Sequence, residues 1–323
     1  MTARALLPIA PLALAGAALL AAQSREDAAH GFLAAALFFA CAPLGALAIR
    51  LIIALTGGER QPGVAAALAP PMARMLWLWP ILGVGAFAAP FLYPWAMGGG
   101  HSAYFAPVFV AARAIAVLAI WTWLAHLRQE ETLSPALAAI GLCAHAITLC
   151  VISFDWINSL TARWATANMP MTLLAWQFLA GSAAAILATP RHPSVARDDF
   201  AAALAGGILG ALYFAFISYL VVWYADIPEA TSWYRIRAAS DVCAPLAAAL
   251  SFAALVLLFA ANRRRWGAIS ALAALWLYIA WWTRAAESAA GLATDALLTA
   301  AFALIATAYP APRLFKSARR SAP

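Results

Sequence analysis

Continuous apolar runs of about twenty residues repeat along the whole chain, and short polar turns separate them. A helix of that length crosses the ~30 Å hydrocarbon core of a bilayer at a rise of ~1.5 Å per residue. The composition agrees, because 66% of the residues are apolar and only 10% are charged, whereas about 25% of the residues of a soluble domain are charged. The strands of a transmembrane β-barrel alternate apolar and polar residues in short segments, whereas the apolar runs of this chain are continuous. We therefore predict an all-α, polytopic membrane protein whose helices satisfy the backbone polar groups internally.

Ten such segments predict ten transmembrane spans in a single integral membrane domain, residues 1–323. The predicted spans are 5–22, 30–55, 75–97, 103–127, 135–156, 168–189, 200–224, 238–261, 266–286 and 289–309. Glycine- and proline-rich turns lie between several of them. The first segment has a second interpretation, because Arg4, an apolar stretch and the small residues Ala21 and Ala22 also fit a cleavable secretory signal. We favour a retained helix.

Basic residues predict the orientation, because cytoplasmic loops carry an excess of Lys and Arg. With the N-terminus in the cytoplasm, the inner side carries fourteen: Arg4, Arg50, Arg60, Arg74, Arg128, Arg191, Arg197, Arg263, Arg264, Arg265, Arg313, Lys316, Arg319 and Arg320. The outer side carries five: Arg25, Arg163, Arg235, Arg237 and Arg284. Both termini are thus predicted to be cytoplasmic, in a bacterial inner membrane. The net charge of +7 indicates topology rather than nucleic-acid binding, because no basic stripe with interleaved aromatic residues occurs.

The cysteine and histidine patterns predict no intrinsic cofactor and no metal site. The four cysteines lie inside apolar runs without a CxxC motif: Cys41, Cys143, Cys150 and Cys243. Haem b needs two axial histidines at matching depth on facing helices. The five histidines fall at different depths of the predicted spans and loops, so no such pair is expected.

Two stretches on the predicted outer side differ from generic membrane sequence. The first reads SFDWINSL at 153–160, followed by ARWAT at 162–166. The second reads YLVVWYADIPEA at 219–230, followed by SWY at 232–234 and by Arg237. In each stretch, a predicted apolar helix ends at an aspartate close to a tryptophan, and a predicted polar loop follows.

Together these stretches resemble the NrfD/PsrC-like membrane subunits of quinol oxidoreductases, specifically the ActF type of alternative complex III. The matching residues in the first are Asp155, Trp156, Ser159, Leu160, Trp164 and Thr166. Those in the second are Ser218, Tyr219, Leu220, Trp223, Tyr224, Pro228, Glu229, Trp233, Tyr234 and Arg237. Asn158 and Asp226 depart from the family pattern, which usually has Met and Asn at these places. The likeness extends from about residue 50 to residue 240.

The resemblance implies two four-helix bundles, spans 2–5 and 6–9, with spans 1 and 10 flanking them. It also implies an accessory subunit with no redox centre of its own. Its expected partners are a homologous quinol-binding membrane subunit, periplasmic haem c and iron–sulfur subunits, and a terminal oxidase. Such a complex oxidises menaquinol or ubiquinol, and this subunit would support assembly and proton translocation.

Ionisable side chains inside the spans are functional candidates, because a charge at the bilayer centre costs about 2.5 kcal/mol or more. We predict a proton path that contains Asp155, Arg113, His145, Asp241 and Asp295, with Arg113 and His145 near mid-depth. The alternative for Arg113 is a structural ion pair that locks two helices together. The alternative for His145 is a packed, hydrogen-bonded histidine.

Residues at the predicted outer edge are candidates for ligand and partner contacts. His30 and His101 are candidates for contact with a quinol headgroup. The predicted docking residues for periplasmic partners, which also anchor the chain at the interface, are Trp156, Trp164, Trp223, Glu229, Trp233 and Arg237. Two other functions stay open: a secondary transporter or permease, and a passive membrane anchor for extrinsic redox subunits.

Reporter fusions test the predicted topology. Fusions after Arg60, Arg128, Arg191, Arg265 and the C-terminus should report the cytoplasm, because the positive charge is concentrated on that side. Fusions near Gly99, Arg163 and Glu229 should report the periplasm. One inner fusion that reports the outside would contradict the ten-span arrangement, and a shift that begins at span 2 would implicate cleavage of span 1.

Overall fold

A computed structural model of the chain describes residues 15–20, 22, 24–57, 63–97, 102–127, 133–161, 166–189, 195–238, 242–260, 262–284 and 289–308. Within these ranges the chain is helical throughout and contains no strand. The longer helices are α1 (Arg25–Leu55), α2 (Val64–Ala73), α3 (Leu78–Leu92), α4 (Pro107–His126), α5 (Pro135–Ile152), α6 (Met169–Ala188), α7 (Val195–Ala225), α8 (Pro228–Ala238), α9 (Cys243–Phe259), α10 (Arg264–Thr283) and α11 (Ala289–Ala308). The all-α prediction is confirmed for this part of the chain.

Seven helical stretches among the described residues are long and apolar enough to cross a membrane. They are Arg25–Leu55, Val64–Leu92, Pro107–His126, Pro135–Leu160, Met169–Ala188, Asp198–Ala225 and Arg264–Thr283. Helices α8 and α9 pass the same criterion together but meet at 79°, and Ala290–Ile305 is a shorter apolar helix. Most of predicted span 1 lies outside the described residues. These helices indicate a membrane protein.

The outer surface of the helices is apolar, as contact with lipid requires. Phe87, Val108 and Phe259 are 82%, 77% and 91% exposed. Soluble proteins rarely expose large contiguous apolar patches. Lipid tails can cover this surface without the cost that water would impose.

Side-chain and proline signals fix where several helices begin. The Ser24 hydroxyl accepts a hydrogen bond from the Asp27 N–H over 3.0 Å and caps α1. Ser134 caps α5 through the Leu137 N–H, and Pro135 occupies the first helical position, where its missing N–H costs nothing.

Residues 64–74, which the sequence placed in a loop, form α2 and the start of a 3-10 turn, Arg74–Trp77. Val64, Leu68 and Met72 of α2 are buried. Burial of this apolar face against α1 and α6 stabilises the helix, although it contains two consecutive prolines, at 70 and 71.

Residues 225–237 were also predicted as a polar outer loop, and most of them belong to α8, Pro228–Ala238. Pro228 suits the first position of a helix, and Arg235 and Arg237 in the last turn complement its dipole. Asp226 turns the chain from α7 into α8 with a left-handed φ of 46°, a conformation that Asp tolerates better than most residues.

The centre of the fold is the contact between α1 and α6, where glycine lets the two backbones approach. A Cβ added at Gly45 would lie 1.7 Å from the Gln177 carbonyl oxygen, and one added at Gly181 would lie 2.5 Å from the Gly45 carbonyl carbon. Small residues at such crossings are typical of helix packing in membranes. Helix α1 also contacts α2, α3, α5, α10 and α11, so this crossing positions most of the chain.

The change Gly45→Ala tests the crossing. It should lower the free energy of unfolding by about 1–3 kcal/mol or more, because the added methyl group overlaps backbone and forces α1 from α6. Gly206→Ala is the matched control, because a Cβ there meets nothing within 4 Å and alanine favours helix over glycine by about 1 kcal/mol. Thermal unfolding in detergent measures both. Equal melting temperatures for the two variants would contradict the crossing.

Candidate functional site

Asp155 and Arg113 form a two-bond ion pair between the end of α5 and α4. Arg113 Nε donates to Asp155 Oδ2 over 2.8 Å, and Nη2 donates to Oδ1 over 3.1 Å. The side chain of Asp155 is 1% exposed and that of Arg113 is 23% exposed. The acid is therefore enclosed while its cation reaches the surface of the chain. The two bonds join α4 to the turn that follows α5.

Arg113 lies nearer the helix end than the sequence suggested. The predicted span began at residue 103, but residues Ala103–Phe105 form a separate 3-10 turn and α4 begins at Pro107. Arg113 is therefore on the second turn of α4, ~9 Å along its axis, rather than at its middle. This position lets it reach Asp155 beyond the end of α5.

Asp155 lies in a single π-helical turn, Ser153–Ile157, that follows α5. Such turns are rare and occur frequently at functional sites. The Ser159 hydroxyl donates to the Asp155 carbonyl over 2.5 Å. Tyr93 OH donates to the Trp156 carbonyl over 3.0 Å, and Trp95 Nε1 donates to Ser159 Oγ over 3.1 Å. Residues that follow α3 therefore hold the turn, and the carboxylate with it, in place.

Asn158 braces the other side of this turn. Its Nδ2 donates to the Thr166 carbonyl over 3.1 Å, and the Thr166 N–H donates to Asn158 Oδ1 over 3.3 Å. An amide can donate and accept in this way, whereas a methionine side chain cannot. Asn158 therefore holds Thr166 against the turn through bonds in both directions.

Tyr104 covers the exposed side of the pair. The Arg113 guanidinium carbon lies 3.8 Å from the centre of the Tyr104 ring, a cation–π contact. Burial and the neighbouring Asp155 carboxylate raise the pKa of the Tyr104 hydroxyl. The hydroxyl therefore stays protonated at neutral pH and can donate a hydrogen bond at the edge of the site.

His145 belongs to a separate polar group deeper in the bundle. Its Nε2 lies 2.8 Å from Gln177 Oε1 on α6, and the side chain is 1% exposed. Thr148 lies one turn beyond His145 on α5, and its Oγ1 accepts a hydrogen bond from Trp121 Nε1 of α4 over 2.8 Å. An amide oxygen only accepts, so Nε2 carries the proton. The buried Nδ1 has no hydrogen-bond partner within the described ranges and is an acceptor in the neutral ring.

A second buried charge centre joins α1, α10 and α11. Arg284 Nε donates to both carboxylate oxygens of Asp295, over 3.1 and 3.0 Å. Arg284 also donates to the Asp27 carboxylate and, over 3.2 Å, to the Asp27 carbonyl. Asp295 is fully buried.

Glycine makes room for this second centre. A Cβ at Gly31 of α1 would lie 2.9 Å from the Thr294 methyl group and 3.0 Å from Asp295 Oδ1. The absence of a side chain at this position lets α11 bring Asp295 against α1. Two carboxylates therefore meet one guanidinium in a buried place.

The structure thus divides the predicted proton path into three groups. Asp155 pairs with Arg113, His145 bonds to Gln177, and Asp295 pairs with Arg284. Asp155 and His145 are ten positions apart on one helical stretch, ~15 Å at ~1.5 Å per residue, so they do not touch. Asp241, the remaining predicted member, lies outside the described residues.

Of the two predicted quinol contacts, His30 is described and His101 is outside the described residues. His30 Nε2 lies 3.9 Å from Glu26 Oε1, and its side chain is 20% exposed. Its charged neighbours include Arg284 and Asp27, so His30 borders the Arg284 centre rather than the Asp155 pair.

The predicted docking residues divide by exposure. Trp223 is 66% exposed and Glu229 is also exposed, whereas Trp233 and Arg237 are buried. Arg237 donates to the Trp281 and Trp282 carbonyls at the end of α10, over 3.2 and 3.3 Å, and stacks on Trp233. These two residues therefore hold α8 on α10, and Trp223 and Glu229 are the members that a partner can reach. Trp156 is half-buried, and Trp164 lies outside the described residues.

Three contributors were not singled out in the sequence: Asp27, Gln177 and Arg284. Asp27 resembles an ordinary acid in the first turn of a helix, and Arg284, which lies at the outer end of the predicted span 266–286, was given no partner. A signal existed for Arg284, because an acid as deep as Asp295 requires a cation within reach. Among the described residues, no group of three or more His, Cys, Asp or Glu side chains could hold a metal ion.

The change Arg284→Gln tests the second centre. It should lower the free energy of unfolding by about 3–5 kcal/mol, because Asp295 keeps a buried charge without its cation. The double variant Arg284→Gln/Asp295→Asn should recover much of that loss, since it removes both charges. Arg235→Gln, at an exposed arginine, is the control. Thermal unfolding in detergent measures the stability of each variant. If the double variant loses the sum of the two single losses in free energy of unfolding, the pairing of Arg284 with Asp295 is contradicted.

A scan of the chain against models of protein families finds no match, and a search among curated proteins finds no relative. The case for a function therefore rests on the residues themselves. They form two buried charge centres and a histidine–glutamine pair within a bundle of apolar helices.

Proposed function

We propose that the chain is a membrane subunit of a respiratory quinol-oxidising complex, similar to the ActF type of alternative complex III, and that it exchanges protons at its outer face. In this proposal the bacterial inner membrane holds ten spans, both termini are cytoplasmic, and the end of the bundle that carries Asp155 faces the periplasm. The distribution of Lys and Arg and the two outer motifs support it.

The helix contacts support two four-helix bundles. In the first half, α1 contacts α3 and α5, and α4 contacts α3 and α5. In the second half, α6 contacts α7 and α10, and α9 contacts α7 and α10. The α1–α6 crossing joins the halves, and α11 flanks α1. In the proposed ten-span arrangement, residues 5–22 are the first span, α8 and α9 together form one bent span, and α11 is the tenth span.

The observation that carries the proposal is the enclosed Asp155 carboxylate in the best-matching motif. Ionisable groups at membrane depth are costly and mark functional sites by default. Asp155 is 1% exposed and its partner Arg113 is 23% exposed, so movement of the arginine alone opens the pair. In the proposal, this carboxylate is the group that exchanges protons at the outer face.

The chain's own part in the complex is assembly and proton handling, and quinol and the redox centres belong to its partners. Exposed Trp223 and Glu229 at the Asp155 end are the surface on which periplasmic haem c and iron–sulfur subunits would dock. A homologous quinol-binding subunit would contact the apolar flank, and His30 is the described candidate near the quinol headgroup. A terminal oxidase is the further partner.

One observation favours the alternative of a secondary transporter. Transporters place discontinuous helices at their binding sites, and α8 and α9 bend by 79°. A transporter built from repeats would have a second break at the corresponding place of its other half. The second break is missing among the described residues, so the respiratory proposal is preferred.

The change Asp155→Asn, in the cell's own complex, tests the proposal. The variant keeps the volume of the side chain and removes its charge. The complex should assemble normally, while quinol oxidation coupled to proton release falls by about tenfold or more, as for loss of a proton-transfer group. Subunit content, quinol oxidation and proton release are measured on the purified complex.

Asp226→Asn is the matched control, because Asp226 is an exposed acid at the same end of the bundle. It should leave assembly and proton release unchanged. Loss of partner subunits from the Asp155→Asn complex would instead identify the pair as a clamp and the chain as a passive anchor. Full activity with full assembly would contradict both roles.

A further inference from the structure

An elongated groove of about 490 Å³ lies between α1, α3 and α11. Along α1 its wall extends from Arg25 to Phe39, ~21 Å at ~1.5 Å per residue. Along α3 it includes Val84 and Phe91, which are seven residues apart and therefore lie on one face of the helix. The groove is longer than one leaflet of a bilayer, which is ~15 Å thick, half of the ~30 Å hydrocarbon core.

The floor of the groove is apolar and aromatic. Phe32 and Phe39 of α1 each meet the Phe302 ring of α11 edge to face, with ring centres 5.8 and 6.2 Å apart. On α3, Val84 and Phe87 are 53% and 82% exposed. A volume of this size is in the range of ligand pockets, ~300–1,000 Å³. The shape and the lining of the groove fit one long hydrocarbon chain.

Arg25 lies at one end of this groove and, among the described residues that line it, alone carries a charge. It is the first residue of α1, and its guanidinium carbon lies 6.0 Å from the centre of the Phe91 ring in the last turn of α3. Tyr93 follows α3 and donates to the Trp156 carbonyl, so this is the end of the bundle that carries Asp155. A positive charge therefore stands at the helix ends, and the apolar floor lies below it.

The Arg25 side chain forms no hydrogen bond or ion pair with another residue in the described ranges. The two acids that follow it in α1 have other neighbours. Glu26 Oε1 lies 3.9 Å from His30 Nε2, and Asp27 is bound by Arg284. A guanidinium without a carboxylate offers its donors to a phosphate, which it can bind through two parallel bonds. Phosphate is the anion that the surface of a bilayer supplies.

We propose that this groove binds one phospholipid, whose phosphate accepts hydrogen bonds from Arg25 and one of whose acyl chains lies along the groove. The groove and the lipid carry their charged and apolar parts in the same order, from the helix ends toward the middle of the bundle. The proposal is independent of the proton role of Asp155, because neither Asp155 nor Arg113 lines the groove.

The test uses the full chain, purified in detergent and stripped of lipid. Native mass spectrometry measures saturable binding of dioleoylphosphatidylglycerol in one arm and of dioleoylglycerol, which has the same chains but no phosphate, in the other. Ala88→Phe fills the groove, and Ala86→Phe is its matched control, because Ala86 is exposed and does not line the groove. Arg25→Gln removes the phosphate partner, and Arg235→Gln, at an exposed arginine of α8 outside the groove, is its control.

The wild type should bind one molecule of the phospholipid at least tenfold more tightly than the diacylglycerol, the effect of a hydrogen bond to a charged group. Arg25→Gln should abolish that preference, because the groove then lacks the cation that distinguishes the two lipids. Ala88→Phe should weaken the binding of both lipids at least tenfold, because the added ring occupies the path of the chain. Ala86→Phe and Arg235→Gln should bind like the wild type.

Any of four results would overturn the proposal. They are the absence of saturable phospholipid binding, equal affinities of the wild type for the two lipids, a phospholipid preference that survives in Arg25→Gln, and unchanged affinity in Ala88→Phe. If Ala88→Phe elutes as an aggregate, the comparison of Arg25→Gln with the wild type decides alone. None of these results bears on Asp155, so this proposal and the respiratory role fail separately.

Discussion

The interior of a membrane contains no water, so every buried charge and every backbone polar group must find its partner within the protein. Helices solve the problem for the backbone. The charges require tertiary contacts, and the chain provides them in pairs: Arg113 for Asp155, and Arg284 for Asp295. Each pair joins helices that are separate in sequence, so the same bonds that make burial tolerable also fix the arrangement of the bundle.

Arginine also satisfies helix ends in this fold. Arg237 donates to two carbonyls at the end of α10, and Arg265 donates to the Thr189 and Leu187 carbonyls at the end of α6, each over 3.0 Å. The last carbonyls of a helix have no partner within the helix. A guanidinium with five donors can satisfy two of them at once. Several of the basic residues therefore stabilise helix ends in addition to marking topology.

The two charge centres differ in how readily they could open. The Arg284 centre is closed, with Asp295 fully buried and Arg284 only 5% exposed, which suits a lock between α1, α10 and α11. The Arg113 pair has one enclosed member and one that reaches the surface beneath Tyr104. That asymmetry, together with the π-helical turn that carries Asp155, is the structural difference on which the proposed proton role of Asp155 rests.

Composition and apolar run length were enough to predict an all-helical membrane chain, because hydrophobicity over twenty residues is a property of local sequence. They also singled out Asp155, Arg113, His145 and Asp295 as ionisable groups inside the predicted spans. Helix bounds were less accurate at residues 64–74 and 228–237, where burial on neighbouring helices and basic residues that match a helix dipole stabilise helices that the predicted spans did not include.

Only the tertiary structure decided which charges meet. Residues 155, 145 and 295 were predicted to contribute to one proton path, and the fold gives each of them its own hydrogen-bonding partner: Arg113, Gln177 and Arg284. Partner choice depends on the rotation of each helix about its own axis, and the nearly uniform apolar spans leave that rotation undetermined in sequence. Close contacts such as Gly45 against Gly181 fix it, because two backbones can approach only where both side chains are absent.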